Sequence, residues 1–142
     1  MPAFPSVEWF QALAGIVNHD TAYRKAGAVD AEVGVQVDDC YFEIDFEAYE
    51  VTGVREIDAA RAAELDFTLV LPAEEWREMI ENIKQHGAAD LSHTLNSLDL
   101  ASADEFARSA DYYRRDKFYR FNQSFQLFFD ASAQIDTEFP VP

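Results

Sequence analysis

Leu65-Asp66-Phe67-Thr68-Leu69-Val70-Leu71-Pro72-Ala73-Glu74-Glu75-Trp76-Arg77-Glu78-Met79-Ile80-Glu81-Asn82-Ile83 reads as a short strand running directly into an amphipathic helix. Phe67, Leu69 and Leu71 recur at period two, so they share one face of the strand. Pro72 has no N–H to give a ladder, and its fixed φ suits the first turn of a helix. Glu74, Glu75 and Glu78 load the helix start with the charge that its macrodipole favours. Trp76, Met79, Ile80 and Ile83 then form a single apolar stripe at i, i+3, i+4 and i+7. Strand face and helix stripe are expected to pack on each other.

Working outward toward the N-terminus, two or three strands precede this unit. Val33, Val35 and Val37 alternate with Glu32, Gly34 and Gln36, and Asp38-Asp39 makes a turn. Phe42, Ile44, Phe46 and Ala48 then alternate with Glu43, Asp45 and Glu47, the pattern of a strand with one face in the core and an acidic face in solvent. A third strand over residues 49–57 carries Val51 and Val54, with Gly53 marking a bulge or turn. The run 59–63 is a connector with the makings of a helical turn. Upstream of the strands, Ser6 is placed to cap a helix running to about Lys25, with Trp9, Leu13, Ile16 and Val17 as its buried stripe. Asn18-His19-Asp20 invites a break into two pieces.

Toward the C-terminus, Gly87 stops the central helix and the pattern stays helical. Asp90 is a candidate cap for a helix carrying Leu91, Leu95 and Leu98. Ser102 and Glu105 make a capping-box pattern, with Phe106 following. Asn122 to Ile135 reads as a final helix with Phe121, Phe125, Phe128 and Phe129 on one face. The order is helix, strands, then helices. The expected fold is one α+β domain over residues 1–142, an antiparallel-rich sheet of about four or five strands with helices packed on one face.

Composition bounds the function. At 142 residues the chain can bury a core without staples. Its 11 basic against 27 acidic residues give a net charge of −16, which repels phosphate backbones and argues against nucleic-acid binding. One cysteine, Cys40, precludes an internal disulfide and suits a reducing cytoplasm. No stretch approaches the length of a membrane span, and MPAFPSVEW lacks the basic start of a signal peptide, so a cytoplasmic protein is expected. The aromatic share of 14% raises the idea of an internal apolar pocket.

Each chemical candidate has a plainer reading beside it. His86, Asp90 and His93 would align as metal ligands on a continuous helix, but Gly87 interrupts it, and a solvated helix end is favoured. Glu43, Asp45 and Glu47 could split their pKa values for acid–base work, yet alternation puts them on the solvent face. His19 has no nucleophile placed near it, and Cys40 has no partner or cationic neighbour. No glycine-rich phosphate loop is present. The basic-aromatic run from Tyr112 to Phe121 reads first as a surface segment whose cations answer the acidic excess, and second as the mouth of a pocket for an amphipathic ligand.

Two segments carry a family resemblance. Val17-Asn18-His19-Asp20-Thr21-Ala22-Tyr23-Arg24 resembles the Asn-Asp element and Tyr in the N-terminal helix of sterol carrier protein type-2-like domains. Asp66 through Trp76 resembles that family's Asp-hydrophobic-Thr-hydrophobic strand and its Trp-bearing helix. The resemblance covers roughly residues 6–85; downstream of Gly87 the family's glycine-rich strand pattern is missing. It implies non-enzymatic binding or transfer of a sterol, fatty acyl chain or other lipid, with no cofactor, no metal and no catalytic residue. Under that reading Trp9, Leu13, Phe67, Leu69, Trp76, Met79 and Ile80 line the ligand site, and Phe121, Phe125, Phe128 and Phe129 close it as a lid. Two alternatives stand beside it. One is a small enzyme acting on a steroid- or polyketide-like substrate in the same cavity. The other is a protein-interaction subunit that buries its aromatic C-terminal half against a partner or a second copy of the chain.

Overall fold

The computed structural model describes residues 1–101 and 105–140. The fold is α+β. Helix α1 (Val7–Val17) opens as its sequence dictates, with the Ser6 side chain accepting from the Trp9 N–H. The break after Val17 is real, and Asp20 caps a second helix, α2 (Thr21–Lys25). Two tight hairpins follow, joining β1 (Val29–Val37), β2 (Cys40–Ala48) and β3 (Glu50–Ile57). A register shift lets Thr52 bulge beside Gly53, where Asp45 pairs with Gly53 and Phe46 with Val51. A helical turn, α3 (Ala59–Ala62), is capped by Asp58 and leads into β4 (Phe67–Leu71) and α4 (Ala73–His86). Gly87 ends α4 at φ 84°, a left-handed conformation that glycine adopts without a Cβ penalty.

Beyond Gly87 the structure departs from the expected pattern. Asp90 does not cap a helix. Its carboxylate accepts from the Ser92 N–H and faces His93, holding a turn, and Leu91 is left 91% exposed. Helix α5 (Leu95–Ala101) starts four residues later, where the Thr94 hydroxyl accepts from the Ser97 N–H. Of the capping-box pattern, residues 102–104 lie outside the described residues, and Phe106 leads into a strand rather than a helix. A two-residue strand, β5 (Ala107–Arg108), pairs there with β4. The basic-aromatic run is itself a helix, α6 (Tyr112–Arg120), capped by Asp111. The final helix is α7 (Asn122–Asp130), and a 3-10 turn (Ala131–Gln134) replaces its expected last turn.

The sheet has the order β3-β2-β1-β4-β5 and is antiparallel except where β1 meets β4. Its inner face carries Val33, Val35, Phe42, Ile44, Phe46, Phe67 and Leu69, all buried. Helix α7 lies across this face: Phe125 meets both Phe46 and Phe67 edge-on, and Phe128 meets Phe46. The α4 stripe of Trp76, Met79, Ile80 and Ile83 joins the same core. The other face is polar; α3 covers part of it, and α6 reaches it at Asp66.

Candidate functional site

The sheet divides the molecule into two regions with different chemistry. On the inner face, every residue expected to line a ligand site lies in or against one cluster. Trp9, Leu13, Phe67, Leu69, Trp76, Met79, Ile80, Phe125, Phe128 and Phe129 are buried, and Phe121 is half-buried at the margin. The aromatic members touch at the tilted and edge-on angles that ring quadrupoles favour. Trp76 stacks on Phe129 at a centroid distance of 5.5 Å. Both indole N–H groups find acceptors: Trp9 donates to the Thr137 hydroxyl at 3.0 Å and Trp76 to the Gln36 carbonyl at 2.9 Å. Ile80 also borders an open recess, about 200 Å³ between α4 and the segment carrying Thr137 and Phe139.

Within this apolar region one group stands out that the expected ligand set omitted. Tyr23, on α2, is fully buried, and its hydroxyl has no hydrogen-bond partner among the described residues. Burial pushes its pKa up to about 12, so the hydroxyl stays protonated and available as a donor. Helix α2 packs on α7, and Tyr23 belongs to the same buried cluster as the α7 phenylalanines. The Ser132 hydroxyl, in the 3-10 turn after α7, is a second buried polar atom without a partner. The sequence did hold a signal for Tyr23, since it ends the Asn-Asp-Tyr element. The Asn of that element has a structural role: Asn18 donates to the Val51 carbonyl and accepts from its N–H, tying α1 to β3.

The outer face corrects the expectation of a solvated acidic strand. Glu43 is fully buried, gripped by Arg55 from β3 and by Arg61 from α3. Burial alone would raise its pKa. Hydrogen bonds from Arg61, Asp45 and Arg55 reverse this and hold it near about 2. Asp45 goes the other way, pushed to about 6 by burial and by the neighbouring Glu43, although Arg55 opposes the shift at 2.8 Å. Below about pH 6 the pair holds one proton, which goes to Asp45 rather than to Glu43. Asp66 accepts from the Glu32 N–H at 2.8 Å and is clamped by Arg114 at 3.0 Å and Lys117 at 3.2 Å. Burial opposes ionisation of Asp66, but these bonds outweigh it and lower its pKa. An open cleft of about 460 Å³ lies here, lined by Glu32, Asp45, Thr52, Asp66 and Lys117 among others.

The remaining candidates fall as their plainer readings say. His86 sits on the Asn82 carbonyl, while His93 bridges Asp90 and Glu78, so the His86–Asp90–His93 trio is not assembled. His19 rests on the Gly15 carbonyl, and Cys40 is exposed. Carboxylate oxygens of Glu32, Glu43 and Asp45 do converge within 4.8 Å, but Arg55 and Arg61 already supply the positive charge between them. Of the α6 cations, Arg114 and Lys117 turn onto Asp66 and Arg115 onto the Ala107 carbonyl, with Tyr112 and Tyr119 beside it. Arg120 stays at the surface, paired with Asp116 and set over the Phe121 ring. No helix is long and apolar enough to cross a membrane among the described residues. No family model, curated protein or solved structure matches this chain.

Proposed function

We propose that this chain is a non-enzymatic binding or transfer protein for a hydrophobic ligand (a sterol, fatty acyl chain or other lipid) taken up between the inner sheet face and α7. One observation carries the reading: a protonated tyrosine hydroxyl, that of Tyr23, is buried in the apolar core with no partner among the described residues. Such a group costs about 1–3 kcal/mol relative to a satisfied one, and native proteins retain few of them without a reason. A ligand that brings an acceptor atom to Tyr23 and an apolar body to Phe67, Trp76 and Phe125 removes that cost. The side chains already pack on one another, so uptake requires α7 to move away from Phe46 and Phe67. The resemblance to sterol-carrier-like domains over roughly residues 6–85 supports the same reading.

The test begins with native and solvent-extracted mass spectrometry of the purified protein, followed by titration with a fluorescent fatty acyl or sterol analogue. Co-purified lipid, or saturable binding weakened by Phe125→Ala and Trp76→Ala, is the expected result. If both variants lose stability while analogue binding is unchanged, the pocket assignment is wrong. No extractable lipid together with no analogue binding refutes the carrier reading itself.

A second reading is favoured by the Asp45–Glu43 pair. A carboxylic acid at about 6 beside an ionised partner, on the rim of an open cleft, is the arrangement that general acid catalysis uses. On this reading the chemistry sits on the outer face, opposite the apolar core. Its test is turnover of apolar esters or ketones that is lost in Asp45→Asn, and no turnover above background by the intact protein removes it. A partner protein or second copy would meet the exposed Leu100, Tyr112 and Tyr113 rather than the Phe ladder, and light scattering reads that directly.

A further inference from the structure

The outer face has a second, unroofed half beside β5, and its layout follows from strand register. Thr68 lies level with Gly34 on one side and Arg108 on the other, while Val70 lies level with Gln36, and Gln36 with Tyr41. Gly34 contributes no side chain, and a Cβ built there would sit 2.5 Å from the Thr68 hydroxyl. Ala62 and Ala63 stand on one bank, and Arg108, Ser109 and Ala110 on the other. Between them runs a groove of about 200 Å³ floored by Thr68, Val70, Gln36 and Tyr41, with no carboxylate in its lining. Gln36, Val70 and Arg108 also border the adjoining larger cleft, which continues past Leu71, Pro72 and Leu98.

Arg108 is the unusual member. In a chain of net charge −16, the other arginines are paired with carboxylates or, as with Arg115, held between tyrosine rings. Among the described residues, Arg108 has only one hydrogen bond, from Nε to the Glu105 carbonyl at 2.8 Å. The rest of its guanidinium fork has no partner among the described residues and stands at the head of the groove.

We propose that this groove binds a small amphipathic monocarboxylate, its carboxylate on Arg108 and its hydrocarbon chain over Val70 toward Leu71, Pro72 and Leu98. The guanidinium matches a carboxylate in charge and in planar, bidentate geometry. Asp38, Glu75 and Glu105 line the adjoining cleft and select against a second negative charge at the far end of the chain. The site lies on the face opposite α7 and does not depend on the carrier reading.

Sodium hexanoate, adipate, hexanol and acetate serve as probes, titrated into the isotope-labelled protein and read by amide chemical shifts. Hexanoate is expected to shift Gln36, Thr68, Val70, Leu71, Leu98, Arg108 and Ser109, with adipate, hexanol and acetate each weaker by about tenfold or more. Arg108→Gln, at an exposed position, keeps the fold and loses about tenfold in hexanoate affinity, while Arg108→Lys recovers part of it. Acetate binding as well as hexanoate, or unchanged hexanoate binding in Arg108→Gln, overturns the site. Shifts confined to Tyr23 and α7 overturn it too, and would report the inner core instead.

Discussion

Tyr23→Phe separates stability from function in this protein. The substitution removes one oxygen from a fully buried side chain and leaves the ring, with its packing, in place. In most tyrosines that oxygen has a partner and the change is destabilising. Here the hydroxyl has none, so its removal recovers the desolvation cost of an orphaned polar group, about 1–3 kcal/mol. The vacated oxygen site leaves a small void that takes back part of this. The net expectation is a stabilisation of about 1–2 kcal/mol, or roughly 3–6 °C in Tm at this chain length. Urea unfolding at pH 7 measures it as a higher midpoint at unchanged slope. The pH dependence gives an internal control. A folded-state pKa of about 12 lies above the ordinary 10.0, so wild-type stability is full below pH 10 and is lost as pH rises toward 12. Tyr23→Phe should lack that loss, and if the carrier reading holds it should also bind the lipid analogue more weakly. A variant destabilised by about 1 kcal/mol or more would mean that the hydroxyl is satisfied, by a buried water for instance, and the reasoning built on it fails.

Three further outcomes follow from the geometry. Asp66→Ala strands the Glu32 N–H and releases Arg114 and Lys117 from their clamp, and should cost about 2–3 kcal/mol in chemical denaturation. Ala48, in the β2–β3 turn, sits at φ 53° without being glycine, so Ala48→Gly should gain about 0.5–1 kcal/mol once glycine's extra unfolded-state freedom is subtracted. The Asp45–Glu43 pair predicts a stability maximum on the acid side of neutrality. Asp45's contribution is full below 3.8 and fades as pH rises through about 6. That of Glu43 is full above 4.5 and fades as pH falls toward about 2. Asp45→Asn should flatten the limb between pH 4 and 6, and an unaltered profile would show that the pair does not share a proton.

The inner face was legible in the sequence because period-two and period-3.6 patterns record which side of an element avoids water. Phe67, Leu69, Trp76, Met79 and Ile80 lie where those periods place them, and the caps at Ser6 and Asp20 lie where side-chain chemistry puts them. The outer face was misread for a reason also contained in that logic. Alternation says that Glu43 points away from Phe42 and Ile44, and it does, but away from the core is not the same as into water. Two arginines, 12 and 18 residues further along the chain, close over it, and no local period encodes that. The turn at Asp90 escaped for a related reason: an Asp before an apolar run fits an N-cap and an Asx turn equally, and the choice is made by Asn82, whose side chain holds Asp90 through both its N–H and its carboxylate. Strand β5 has only two residues, too few to carry any period.

The two faces also differ in how their polar groups are matched, and this bears on where a ligand can act. On the outer face Glu43 and Asp66 are over-supplied with donors, Glu43 by two arginines and Asp66 by a backbone N–H and two cations. Apart from the Asp45 Oδ1, which has no partner among the described residues, a newcomer there must break charge-assisted bonds that are already satisfied, which favours a structural role for most of that network. Arg108 and Tyr23 are the opposite case, one donor fork at an apolar groove and one donor inside an apolar core, each with bonding capacity unused. An unused donor in an apolar setting gains more from a ligand than a satisfied one does, because the ligand bond replaces nothing. That asymmetry ranks Tyr23 and Arg108 above the carboxylate cluster as places to look for binding, although the cluster holds most of the titratable groups. It also sets the order of experiments, since Tyr23→Phe and Arg108→Gln each remove a single unused donor and leave the Glu43 and Asp66 clamps intact.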